Sequence, residues 1–175
     1  GVCRICVVEV EGCKALVPAC ITQIVPGMVI QTHSARVVEA RRIVLELMLA
    51  SHPDACLVCD KGNRCELRRI AGEMGVAVPR FRMKRHYYAS EDAGPYVVRD
   101  LTKCILCRRC VRACHEIRKA DVLAMGYKAF DSKMVAGQDQ PLDNAACRSC
   151  DVCISVCPVG ALEKRRENMD RRERV

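Results

Sequence analysis

The chain has no Trp, and four Tyr and two Phe are its whole aromatic complement, 3% of 175 residues. So few large rings leave little to fill a core, and something other than side chains has to help hold the fold. No apolar run approaches the roughly 20 residues that span a bilayer, so direct membrane insertion is not expected. No secretory signal segment is recognised, and a cytoplasmic location is expected. There is no G-x-G-x-x-G or Walker loop for a nucleotide, no Ser/His/Asp set, and no C-x3-C-x2-C of the radical enzymes. No catalytic residue is therefore assigned. A net charge of +8 invites a nucleic-acid partner, but the stacking aromatics of single-strand binders are missing, and none is expected.

What the chain has in quantity is cysteine, 15 of 175 residues. An odd count in tight x2 repeats fits disulfides poorly, because ring closures that short are strained. Cys104, Cys107, Cys110 and Cys114 form one C-x2-C-x2-C-x3-C run, and Cys147, Cys150, Cys153 and Cys157 form another, followed by Pro158. Zinc ribbons use paired C-x2-C motifs and do not explain unbroken runs of four. The spacing is that of bacterial iron–sulfur proteins, in which the fourth cysteine of each run serves the other cluster. Cys104, Cys107 and Cys110 are thus expected to share a [4Fe–4S] cluster with Cys157. Cys147, Cys150 and Cys153 are expected to share one with Cys114.

A third constellation is His52, Cys56, Cys59 and Cys65. Alone it suits zinc or iron equally; beside two cubes, iron is the better reading, as a third [4Fe–4S] cluster. One imidazole in place of a thiolate makes such a cluster less negative and raises its potential. Cys3, Cys6, Cys13 and Cys20 remain. Residues 4–11 and 15–19 read as a hairpin about a turn at 11–14. Centred on Cys13, it sets Cys6 opposite Cys20 and carries Cys13 about 20 Å from Cys6, at roughly 3.3 Å per residue. Cys3, Cys6 and Cys20 are then three ligands lacking a fourth, and Cys13 is a free thiol on a loop. Fourteen of the fifteen cysteines are so accounted for. Clusters with about −2 for each all-thiolate centre and −1 for the His-ligated one offset most of the positive charge. Lys103, Arg108 and Arg109, beside the first run, are candidates for tuning potential, together with backbone N–H groups of Gly-containing loops.

These motifs carry a resemblance. GVCRICVVEVEG with LVPAC resembles the [2Fe–2S] domain of the large iron–sulfur subunit of NADH dehydrogenases. SHPDACLVCDKGNRCELRRIAGEMGV resembles that family's His/Cys3 motif, and YVVRDLTKCILCRRCVRAC with CRSCDVCISVCPVGAL its ferredoxin module. The likeness extends to iron–sulfur subunits of NAD-linked formate dehydrogenases, [FeFe] hydrogenases and the diaphorase part of soluble [NiFe] hydrogenases. It departs at His115, where many small ferredoxins have Pro after the fourth cysteine. The resemblance implies a [2Fe–2S] cluster on Cys3, Cys6 and Cys20, its fourth ligand lying before Gly1 in a natural start absent here. It also implies a flavin- and NAD(H)-binding subunit as one partner, and a hydrogenase- or formate dehydrogenase-type catalytic subunit as the other.

The fold expected is α+β: a partial plant-type [2Fe–2S] ferredoxin-like sheet at 1–33, a His/Cys3 [4Fe–4S] helical segment at 34–78, a basic surface linker at 79–95, a bacterial two-[4Fe–4S] ferredoxin-like module at 96–163, and a charged tail at 164–175. Ser34 is expected to cap a helix over 35–51 whose stripe is Val37, Val38, the stem of Arg41, Val44, Leu45 and Met48. A second short helix is expected over 65–74. The insert between the cysteine runs, including 122–130, exceeds what a minimal ferredoxin needs and is expected to meet a neighbouring subunit. The function expected is an electron wire within a soluble oxidoreductase complex. A free-standing multi-cluster carrier and the input segment of a longer catalytic chain stand as alternatives.

Overall fold

The computed structural model describes residues 1–93, 96–142, 147 and 149–165. Two compact units divide the chain, Gly1–His52 with Glu66–Arg85, and Pro53–Cys65 with His86–Val175. The division runs through the segment that the cysteine pattern groups as 34–78, because its helix packs on the first sheet.

In the first unit, β1 (Val7–Val10) pairs antiparallel with β2 (Val17–Pro18) on one side and β3 (Ile30–Gln31) on the other. The β-branched residues Val7, Val8 and Val10 are buried, as suits a pleated strand covered by another layer. That layer is α1 (Ala35–Ser51), which lies against β1. The Ser34 hydroxyl caps it by accepting from the Val37 N–H at 3.3 Å. Val37 and Leu45 are fully buried as expected, whereas Val38, Arg41, Val44 and Met48 are half-buried. Arg41 contributes more than its stem, since Nη2 donates to the Val7 carbonyl at 2.8 Å.

The stripe also includes a residue that hydrophobic periodicity passes over. Glu46 is 4% exposed, and Arg80 satisfies it, donating from Nε to both carboxylate oxygens at 2.9 and 2.8 Å. The basic stretch expected to be a surface linker thus supplies an anchor to α1. A buried carboxylate left without its partner is costly. Arg80→Met is therefore expected to lower the melting temperature clearly more than Glu39→Gln, which removes only an exposed second carboxylate 3.5 Å from Arg80 Nη2, and adding Glu46→Met should recover part of the loss. Equal melting points for Arg80→Met and wild type would refute the anchor. The helix α2 (Glu66–Glu73) completes this unit, burying Leu67 and Ala71.

In the second unit β5 (Val97–Arg99) lies between β4 (Glu91–Ala93) and β8 (Leu162–Lys164) in an antiparallel sheet. A hairpin of β6 (Leu123–Gly126) and β7 (Lys133–Ala136) forms a second one. The insert expected to face a neighbour is this hairpin, and it buries Leu123, Met134, Val135 and Ala136 within its own unit. Two short helices, α3 (Arg109–Arg112) and α4 (Val152–Val156), pack on each other, α3 against β6 and α4 against β8. Val97, Leu101, Val159, Ala161 and Leu162 fill the space between. The charged tail lies outside the described residues after Arg165. Among the described residues no helix is long and apolar enough to cross a membrane.

Candidate metal centres

The two cysteine runs fold alike. Residues on both sides of the second cysteine take left-handed backbone, Leu106 (φ 56°) and Arg108 (63°) in one run, Ser149 (47°) and Asp151 (59°) in the other. None is glycine, so in these two runs the left-handed positions are taken by residues that carry side chains. Such turns disfavour side-chain-bearing residues, and their repetition at equivalent places shows one backbone path used twice. In each run the third cysteine then enters a short helix, Cys110 in α3 and Cys153 in α4. The chain after α3 widens into a π turn over Ala113–Ile117 that includes Cys114, with the Arg118 N–H reaching back to the Ala113 carbonyl at 3.1 Å. Single π turns of this kind are frequent at functional sites.

The cysteines gather in crossed sets. Cys104, Cys107, Cys110 and Cys157 line one cavity of about 20 Å³, walled by Met125, Met134 and Leu162 among others. Cys147, Cys150, Cys153 and Cys114 line a second of about 230 Å³, with Arg118 and Lys119 at its edge. In both, the cysteine from the other run joins the three consecutive ones. Among the described residues no three His, Cys, Asp or Glu side chains converge to hold a single metal ion. Four thiols around one cavity, three from one run and one from the other, are the donor set that the two-cluster spacing calls for.

Electrostatics agree with that arrangement. Burial pushes the Cys104 thiol up to about 11, with the charges of Cys107 and Cys157 adding to it and the Leu106 N–H opposing. That N–H donates to Cys104 Sγ at 3.4 Å. Cys110 is pushed to about 12 by burial first, then by Cys104, Cys157 and Cys107. Cys153 is also pushed to about 12, by burial and then by Cys147 and Cys150, with Cys114 contributing and the Ile154 N–H opposing. Partly desolvated pockets of this kind are a poor place for thiolate charge. They become a good one when iron supplies the compensating cations. The donor set, its apolar walls and its N–H donors to sulfur therefore fit iron–sulfur clusters.

The other predicted ligands are placed less tightly. His52 ends α1 as its C-cap, in extended backbone (φ −86°, ψ 145°) with its N–H on the Leu49 carbonyl. Pro53 explains that geometry, since the residue before proline is pushed out of the helical region. Cys56 is exposed at the start of a 3₁₀ turn, Cys56–Val58, while Cys59 and Cys65 are half-buried. In the first unit Cys3 and Cys6 are half-buried and Cys20 is exposed. The hairpin register differs by one from that expected. Val7 faces Pro18, and the Ala19 N–H bonds the Cys6 carbonyl at 3.1 Å, so Cys6 stands opposite Ala19 and not Cys20. The turn closes one residue early because Gly12, at φ 82°, supplies the left-handed position, with the Cys13 N–H on the Val10 carbonyl. Cys6 and Cys20 still interact. A hydrogen bond with Cys6 is among the contacts that hold the Cys20 thiol below its ordinary range. Cys13 is exposed at the tip.

Comparison with known families follows this order along the chain. Residues 1–35 match a 2Fe-2S iron–sulfur cluster binding domain, 41–80 the NADH-ubiquinone oxidoreductase-G iron–sulfur binding region, and 94–163 the ferredoxin-like domain of NADH-quinone oxidoreductase subunit 3. The chain belongs to the NADH dehydrogenase-G family of iron–sulfur proteins. Proteins similar to it include the NADP-reducing hydrogenase subunit HndD of Solidesulfovibrio fructosivorans, 39% identical over 91% of this chain and 27% of that one. The NADPH-Fe(3+) oxidoreductase subunit alpha of Geobacter sulfurreducens is 31% identical over 93% of this chain and 19% of its own length. This chain therefore spans 19% to 27% of the length of those relatives. Among solved structures, one described as an NAD+-reducing [NiFe]-hydrogenase in the H2-reduced state superposes with a TM-score of 0.86 at 28% identity, covering 94% of this chain and 70% of that one. This member of the NADH dehydrogenase-G family thus has ferredoxin-like 2Fe-2S and 4Fe-4S domains of mixed helix and strand.

Position beside the first cysteine run singles out Lys103 in the sequence but says nothing of what it meets. The fold supplies its surroundings. Its ammonium lies 2.8 Å from Asp100 Oδ2 with the side chain 25% exposed. Burial works against its charge, but the hydrogen bond and charge of Asp100 outweigh that, and Cys59 and Asp60 add to them.

Proposed function

We propose that this NADH dehydrogenase-G family chain is an electron relay built on three [4Fe–4S] clusters and one [2Fe–2S] cluster. The observation that carries the reading is the crossed gathering of cysteines, Cys104, Cys107 and Cys110 with Cys157, and Cys147, Cys150 and Cys153 with Cys114. Each set would hold one cube. His52, Cys56, Cys59 and Cys65 would hold a third by their spacing, and Cys3, Cys6 and Cys20 three corners of the [2Fe–2S] site. When bound, such clusters supply one-electron storage. The chain's own residues hold them by thiolate and imidazole, donate N–H groups to sulfur from Leu106 and Ile154, and exclude water with Met125, Met134 and Leu162.

The relay would join a flavin-bearing NAD(P)H dehydrogenase subunit to a catalytic subunit of hydrogenase or formate dehydrogenase type, in the cytoplasm. NAD(P)-linked redox enzymes among the similar proteins support that reading. Anaerobic purification tests it, with iron and acid-labile sulfide in amounts matching four clusters and with both kinds of subunit co-purifying. Zinc in place of iron would overturn it. A second reading, in which these domains feed electrons into a catalytic region of the same polypeptide, is favoured by the small share of HndD that they span. The intact mass of the natural polypeptide separates the two.

Lys103 gives a test at single-residue level. A semi-buried cation favours the reduced, more negative state of a nearby centre. Lys103→Gln is expected to lower the midpoint potential of the centre held by the Cys59 loop, measured by EPR-monitored redox titration. An unchanged potential would show that Asp100 cancels the lysine's charge.

A further inference from the structure

Glycine is required at a position for one of two reasons, backbone or space. Gly12, Gly27 and Gly75 have φ between 66° and 82° with nothing within 4 Å of an added Cβ, so backbone is the reason. Gly160 is the opposite case. Its φ is outside the left-handed range, yet an added Cβ would sit 3.0 Å from Cys59 Sγ, 3.3 Å from Lys61 Cβ and 3.4 Å from Lys103 Cδ. Gly160 follows Cys157 by three residues, and Lys103 immediately precedes Cys104. The sulfur of one predicted centre thus rests on the backbone that carries ligands of the next.

Neither side can yield easily. Val159, Ala161 and Leu162 around Gly160 are 1–3% exposed. The Ala161 carbonyl is bonded to the Asp100 N–H at 2.9 Å, and Leu162 begins the strand paired with Arg99. On the other side Cys59 is tied into its loop through the Gly62 N–H on its carbonyl at 2.9 Å.

We propose that Gly160 is a positioning residue for the Cys59 loop: the absence of a side chain lets Cys59 Sγ settle against the Cys157 segment and so sets the spacing between the two centres. The inference rests on the reading of Cys59 as a cluster ligand. Its consequence is that the relay's step between the Cys59 loop and the Cys157 cube is limited by one methyl group. In Gly160→Ala a sulfur bonded to iron has to shift, together with the Lys61 stem.

The test uses the iron-loaded full chain, with Gly160→Ala, Cys59→Ala, and Gly126→Ala as a steric control. The three atoms nearest an added Cβ at Gly126 all belong to the Val135 side chain, the first at 2.7 Å, inside the β6–β7 hairpin. Iron and sulfide content, the EPR spectrum of the reduced protein and the rate of electron passage to an acceptor are read for each. Gly160→Ala is expected to keep its iron, to alter the line shape and magnetic coupling of the Cys59 centre, and to slow passage severalfold. Gly126→Ala should leave the spectrum unchanged. Loss from Gly160→Ala of only the iron that Cys59→Ala loses would support the same role. An unaltered spectrum in Gly160→Ala, or a general loss of iron no different from that in Gly126→Ala, would overturn it. Full iron in Cys59→Ala would instead remove Cys59 from the ligands and so strike the underlying reading.

Discussion

Replacing Cys157 by Ala is expected to delete the cube held by Cys104, Cys107 and Cys110, far earlier in the chain, and to spare the one held by its sequence neighbours Cys147, Cys150 and Cys153. The chain should lose about four iron ions, the content of one cube. Cys114→Ala should give the reciprocal loss. The physical ground is the crossed arrangement, with Cys157 at the cavity of the first run and Cys114 at that of the second. Cys157 is buried on that side, its thiol donating to the Val159 carbonyl at 3.1 Å. EPR of the reduced variants, with the sets separated by their different surroundings, decides the matter. Loss of the Cys147-bearing cube in Cys157→Ala would mean that each run closes on itself and would sink the exchange. With either cube gone, electron passage through the assembled complex is expected to fall to background.

Removing all iron should have an even larger effect, loss of the second unit's tertiary structure. Metal binding of this kind contributes on the order of 10 kcal/mol, as much as the entire stability of a small domain. Little else is available to replace it. The core there is built from modest aliphatic residues such as Val97, Leu101, Val159 and Leu162. Leu106, Arg108, Ser149 and Asp151 hold left-handed backbone that costs about 1 kcal/mol or more apiece. Near-ultraviolet circular dichroism and amide exchange after anaerobic chelation would report the collapse. A metal-free chain that melts cooperatively near the temperature of the loaded one would contradict it. Whatever structure survives should weaken as pH rises. Cys104, Cys110 and Cys153 are raised from an ordinary 9.0 to about 11, 12 and 12 by burial. The unfolded chain therefore gives up these protons first. Stability from the buried thiols is whole below about pH 9 and is lost as pH climbs towards 12. Acidification has the opposite liability, because protons compete with iron for the same sulfurs.

Candidate ligands are the most legible part of this chain. A cysteine spacing is a local geometric statement, and turns of the kind around Cys107 and Cys150 repeat wherever the spacing repeats. Helix α1 is legible too, through Ser34, the 3.6-residue period and Pro53. Sequence reasoning fails where partners are distant along the chain. Glu46 is absent from the expected stripe because its neutraliser, Arg80, lies 34 positions on. The hairpin register of Cys6 shifts by one because Gly12, not Cys13, takes the turn. The insert at 122–130 is legible only as extra length, because which of its side chains are buried depends on β7, the strand that pairs with β6.

The amino-acid order alone shows which cysteines stand at iron–sulfur spacings, and that none of the motifs for bond-making chemistry accompanies them. All of this follows from side-chain chemistry at fixed short spacings, which a polypeptide cannot escape. What surrounds those cysteines was set by the fold. It set Lys103 beside Asp100 and Cys59, buried Cys157 in the wall of the other run's cavity, and brought Cys59 Sγ to rest against Gly160. Those placements depend on long-range pairing of β5 with β8 and on packing of α3 against α4, where burial and mutual exclusion act between segments that no local pattern connects.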